Sequence, residues 1–233
     1  MTMVDGIQAS RGNVHYLYPA SSTLQAPTAS RARADNARAD TSVTLSSLAQ
    51  QLNESAIRAE ADDAALSRDE RTAKAEKSLA SIVGARFFAS RQVNNAEIPD
   101  SSDPERLARA QAATRFVNGS QQNPFAGLSR DRLALITYDD SGQYTTNERR
   151  AAWEASFDKE YAWRKEAVAK AMAEYDGSGK LTDFFKDVLQ HFDSLPLNEQ
   201  AQYPKDYATR LQKWIALDYN YFTNAVEGEG SPL

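Results

Sequence analysis

The chain has 233 residues, 41% hydrophobic and 25% charged, with 27 Lys and Arg against 32 Asp and Glu for a formal charge of -5. That length makes one sizeable domain with chain to spare, or two small ones, and the acidic balance lacks the basic footprint of a nucleic-acid binder. There is no cysteine, and the only histidines are His15 and His191, which excludes disulfides, thiolate zinc, a cysteine nucleophile and a histidine-rich metal site.

Residues 1–12 hold no apolar stretch of the kind a cleavable secretory signal needs. No apolar run approaches the roughly 18–20 residues of a membrane helix. The chain is therefore expected in the cytoplasm, or exported without a cleavable signal peptide, and without a membrane span. Residues 1–42 are rich in Ser, Ala, Thr, Arg and Asp. Such a segment buries too little apolar area to offset its ordering entropy, so it is predicted to be disordered.

Residues 43–98 read as a helical arm and linker. Ser42 or Thr44 is placed to cap a first helix with Leu45, Leu48, Leu52 and Ala56 on one face. Ser67 and Glu70 form a capping-box pattern ahead of a second helix over 67–88. Residues 93–103, with Asn94, Asn95 and Pro99, read as a linker. Asp103, Pro104 and Glu105 then make a strong helix start, and Asn118 and Gly119 a stop. From Phe125 onward lie 17 of the 22 aromatic residues, so the packed core is predicted in a helical domain over 103–226. No run alternates as a strand does, and the predicted class is all-α.

Two segments repeat. Tyr138-Asp139-Asp140-Ser141-Gly142-Gln143-Tyr144-Thr145 is echoed 37 residues later by Tyr175-Asp176-Gly177-Ser178-Gly179-Lys180-Leu181-Thr182. Both read Tyr-Asp-x-Ser-Gly-x-apolar-Thr. The repeat resembles a pair of EF-hands, whose twelve-residue loops offer oxygens at places 1, 3, 5, 7, 9 and 12 around a glycine at place 6. With Gly142 at the turn the first loop covers 137–148. The resemblance then implies a calcium site of Asp139, Ser141, the Gln143 carbonyl, Thr145 and Glu148. With Gly179 at the turn the second loop covers 174–185, where Glu174 stands first and Phe185, which cannot ligate, stands last. Thr137 replaces the usual Asp at the first place of loop one. Three readings stay open: helix-joining turns alone, a degenerate EF-hand pair without calcium, or a weak calcium site of about 10⁻⁴–10⁻³ M.

No serine elbow, Walker loop or dinucleotide fingerprint is present, and His191 near a helix end reads as a dipole partner. Glu160 with Arg164, and Glu166 with Lys170, stand four residues apart and are predicted to pair along a solvated helix. The function expected is a non-enzymatic binding or regulatory protein acting through contacts with a protein partner. The alternative is an exported effector or secretion substrate with an uncleaved N-terminal signal.

Overall fold

The computed structural model describes residues 46–229. The segment expected to be disordered, and the caps foreseen at Ser42 and Thr44, lie outside the described residues. The described chain is all-α. Its helices are α1 (Ser47–Ala65), α2 (Arg68–Ile82), α3 (Gly84–Ala89), α4 (Arg91–Ala96), α5 (Pro104–Val117), α6 (Arg130–Tyr138), α7 (Thr146–Ser178), α8 (Thr182–Asp193), α9 (Leu197–Gln200) and α10 (Tyr207–Leu217). A short antiparallel hairpin follows, β1 (Tyr219–Asn220) against β2 (Ala225–Val226), with Tyr219 opposite Val226.

Local chemistry sets the helix ends. Ser46 caps α1, its hydroxyl accepting from the Ala49 amide at 3.3 Å. The Ser67–Glu70 capping box is formed at α2. Asp103 caps α5, accepting from the Glu105 amide at 2.8 Å, with Pro104 in the first turn. Asn118 ends α5, and Gly119 takes a positive φ of 79°. The single helix expected over 67–88 breaks at Val83, because Gly84 adopts φ 77° and restarts the chain as α3. The start of the expected linker is helical too, since α4 runs to Ala96.

The core joins both halves of the chain. Leu52 of α1, Ala113 of α5, Phe125, Leu133 and Ile136 of α6, Tyr144, and Ala151, Ala152 and Ala155 of α7 form one buried cluster. Leu48, Phe116, Leu128 and Leu135 pack against its edge. The expected boundary between an arm and a C-terminal domain is therefore not a break in the packing. The described residues form one compact unit, with α1 and α2 both against α6. Every member of that cluster but Leu52 lies within 103–226, where the aromatic count placed the core. Alanines on α5 and α7 bring the helices close, so Leu52 and the aliphatics of α6 fill the space that larger rings would need.

A second cluster joins α8, α9 and α10 through Phe192 with Tyr203 and Tyr207, and Phe185 with Trp214. The hairpin folds back on the α7–α8 elbow, where the Tyr221 amide donates to the Gly179 carbonyl at 2.7 Å. Gly179 has φ 72°, and a Cβ there would lie 2.6 Å from Phe222 Cγ. Substituting alanine thus adds a steric conflict to the ~1–2 kcal/mol left-handed penalty. Gly84 and Gly119 share the positive φ but face open space. Thermal melts should show Gly179→Ala losing more stability than Gly84→Ala or Gly119→Ala. Equal losses at the three positions would contradict the packed elbow.

Candidate functional site

The segment between α6 and α7 is a tight helix–loop–helix. Asp139 ends α6, and its carboxylate accepts from the Ser141 amide at 2.9 Å, making the turn. Gly142 follows with φ 87°. Tyr144 drops into the core, and Thr145 caps α7 in a capping box with Glu148. The Glu148 carboxylate accepts from the Thr145 amide at 2.9 Å and from its hydroxyl at 3.1 Å. Glu97 accepts from the Thr146 amide at 2.8 Å, adding a second negative group at the positive end of the helix dipole.

Each expected ligand already has a partner within the chain. Asp139 accepts from Arg58 and from the Ser55 hydroxyl, both at 2.6 Å. The Gln143 carbonyl accepts from Gln51 Nε2 at 3.0 Å and from Arg106 at 3.2 Å. Glu148 is 1% exposed and accepts from Arg109 Nε at 3.0 Å. The Ser141 hydroxyl accepts from the Gln143 amide at 3.4 Å. Calcium needs six to eight oxygens converging on one point. Here the oxygens at Asp139, Ser141, Gln143, Thr145 and Glu148 are directed at amides, hydroxyls and guanidinium groups, so this arrangement does not fit the ion. Among the described residues, no group of three or more His, Asp or Glu side chains is placed to hold a metal.

The second repeat has a different shape. Helix α7 continues through Asp176, Gly177 and Ser178, and only Gly179, Lys180 and Leu181 separate it from α8. The expected twelve-residue loop over 174–185 is thus largely helix. Glu174, expected as its first ligand, instead caps α8 by accepting from the Asp183 amide at 2.8 Å and the Phe184 amide at 2.9 Å. Asp-Gly-Ser favours a turn locally, but the helix extends one turn further to the left-handed glycine that ends it.

The first turn of α7 is a buried polar hub. Asn147, fully buried, donates to the Asn94 carbonyl, Asn95 and the Thr114 hydroxyl, each at 3.1 Å. Arg149 reaches the Thr137 carbonyl at 3.1 Å, and Arg150 the Ile82 carbonyl at 3.0 Å. Arg150 also lies 4.7 Å over the Trp153 ring. Successive helical residues point about 100° apart, so consecutive polar side chains reach α4, α5, α6 and α2 in turn.

Further along α7 the predicted pairs form, Arg164 with Glu160 at 2.7 Å and Lys170 with Glu166 at 3.2 Å. Glu160 also meets Arg130 at 2.5 Å and His191 Nε2 at 2.8 Å. The His191 ring stacks on Trp163 with centroids 3.5 Å apart. That polar knot fastens α8 to one side of α7. The other side is apolar and exposed, with Tyr175 at its end packed on Tyr221 and Phe222 of the hairpin. Phe157, Tyr161, Val168, Met172 and Tyr175 are between 40% and 63% exposed, and their spacing of 4, 7, 4 and 3 keeps them within one narrow face. The two cations nearest this stripe fold back, Arg164 onto Glu160 and Lys165 over the Tyr161 ring at 5.9 Å. A groove of about 270 Å³ beside the stripe is lined by Val168, Ala171, Met172, Tyr175, Asp176 and Leu181. A larger cavity of about 620 Å³ between α1, α6 and the α8–α9 turn is mainly polar at its mouth, where Lys74 joins Asp62 at 2.5 Å and Asp140 at 3.6 Å. Among the described residues, no helix is long and apolar enough to cross a membrane.

The stripe has a plain sequence signature, apolar residues repeating on an eleven-residue period, which the charged character of 148–170 masked. No protein-family model matches this chain, and no curated protein or solved structure matches it significantly.

Burial raises the Glu160 carboxyl, but hydrogen bonds from His191, Arg130 and Arg164 outweigh it and hold the group well below the usual carboxylate range. Burial likewise raises the Asp139 carboxyl, but bonds from Ser141, Ser55 and Arg58 outweigh it and hold the group below its usual value. A carboxyl depressed in the folded state stabilises it above the unfolded value, near 4, and loses that contribution as pH falls through the folded value. Glu160→Gln should therefore flatten the loss of urea stability between about pH 5 and pH 2. An acid limb as steep as that of the native chain would contradict the role of the knot.

Proposed function

We propose that this chain is a non-enzymatic binding protein that holds a protein partner against the outer face of α7. The observation that carries the reading is the exposed stripe of Phe157, Tyr161, Val168, Met172 and Tyr175. A long helix normally buries such a face, and contiguous exposed apolar surface marks interaction sites. Aromatic and methionine side chains are enriched in the anchors of protein interfaces. The stripe spans 19 residues, or about 27 Å of helix between its ends, which suits a partner helix laid along it with anchors a few residues apart. Pairing of Arg164 with Glu160 compensates the cation nearest the middle of the stripe, which lowers the cost of covering it.

A photo-crosslinking side chain placed at Met172, in the cell that makes the protein, tests this directly. Its control is Ala173, exposed about 100° round the same helix and off the stripe. A discrete adduct is expected from position 172 alone. It should vanish when Phe157→Ser and Tyr161→Ser are added while the melting temperature stays within a few degrees. The same adducts from both positions, or none from either, would contradict the reading.

A further inference from the structure

We propose that the guanidinium groups of Arg58, Arg106 and Arg109 do the work of a cation in the 137–148 loop, latching α1 and α5 onto it without metal. Each arginine meets a loop place that an EF-hand offers to calcium. Arg58 sits on Asp139 at 2.6 Å, at the third place. Arg106 sits on the Gln143 carbonyl at 3.2 Å, at the seventh. Arg109 sits on Glu148 at 3.0 Å, at the twelfth. Arg109 also donates to the Gln51 side-chain oxygen, and Gln51 Nε2 donates to the same Gln143 carbonyl at 3.0 Å. The donors thus come as a connected set from one face of α1 (Gln51, Ser55, Arg58) and one face of α5 (Arg106, Arg109).

The chemistry favours this substitution. The loop carries two deeply placed carboxylates, with the side chains of Asp139 and Glu148 3% and 1% exposed. Two buried negative charges demand compensation. Guanidinium groups stay charged at all ordinary pH and offer a planar fork of donors. A spherical ion would gather the loop oxygens inward. The arginines take them outward, Arg58 toward α1 and Arg106 and Arg109 toward α5, so the loop becomes a joint between α1, α5, α6 and α7.

The full-length chain and its Arg58→Gln/Arg109→Gln variant are melted in EDTA and in about 10 mM calcium, with terbium luminescence excited through tyrosine as a second reading. The native chain should melt at one temperature in both buffers and sensitise no terbium. The variant should melt roughly 10 °C lower in EDTA. Calcium should restore roughly 3 °C of that, as expected for a ligand at about ten times its dissociation constant. Terbium should luminesce with the variant. A native chain that calcium stabilises would overturn the proposal. So would a variant that melts like the native chain, or one whose loss calcium leaves untouched, because the arginines would then be ordinary ion pairs. Should the double variant not fold, Arg58→Gln alone is read by the same outcomes at Asp139, with the Glu148–Arg109 pair intact.

Discussion

One buried carboxylate sets the geometry of this protein. Glu148 lies inside the fold at 1% exposure. A carboxylate there is tolerable only with charge and hydrogen bonds around it. One of its oxygens takes the amide and hydroxyl of Thr145, and the other takes Arg109. The first pair of bonds fixes where α7 begins. The last fixes how α7 sits against α5. Removing Arg109 would leave the charge buried without its cation, and removing the Glu148 side chain would strip half of the capping box and the arginine's ion pair.

The flanking residues extend the same constraint. Asn147 reaches α4 and α5, Arg149 reaches α6, and Arg150 reaches the end of α2. Below this polar collar the three alanines of α7 allow close packing on Phe125, Leu133 and Ile136. With its start held so firmly, α7 has a defined direction. It runs for 33 residues, well past the core it serves at its beginning. Its second half is braced on one side by α8 through Glu160, His191 and Trp163. Its end is held by the hairpin at Gly179. The stripe on the remaining side is therefore presented on a rigid element, which favours binding by reducing the ordering cost.

What the sequence made legible was local. Ser67 with Glu70, Asp103 with Pro104, Asn118 with Gly119, and Glu160 with Arg164 each act within a few residues, so spacing alone predicts them. The partners of the 137–148 loop stand far away along the chain, 81 residues from Arg58 to Asp139 and 92 from Gln51 to Gln143. No periodicity announces such a pairing. Gln51, Ser55 and Arg58 do fall on one helical face, but polar residues on a helix read first as a solvated side. The second repeat misled for a related reason. Asp176, Gly177 and Ser178 carry turn chemistry, yet α7 continues through them to its left-handed cap at Gly179, and Glu174 within it caps the start of α8. The core lies within 103–226 as the aromatics indicated, except for Leu52, whose place beside the alanines of α5 and α7 no local pattern announces.

The account turns on a joint held by arginines at the start of α7. Native-state hydrogen exchange of the Glu148, Arg149 and Arg150 amides, taken in EDTA, tests it most directly. These amides should exchange only through global unfolding, as slowly as those of Leu133 and Ile136 in α6, with no change when calcium replaces EDTA. Exchange through a low-energy local opening of residues 137–148, or protection that appears only with calcium, would contradict it.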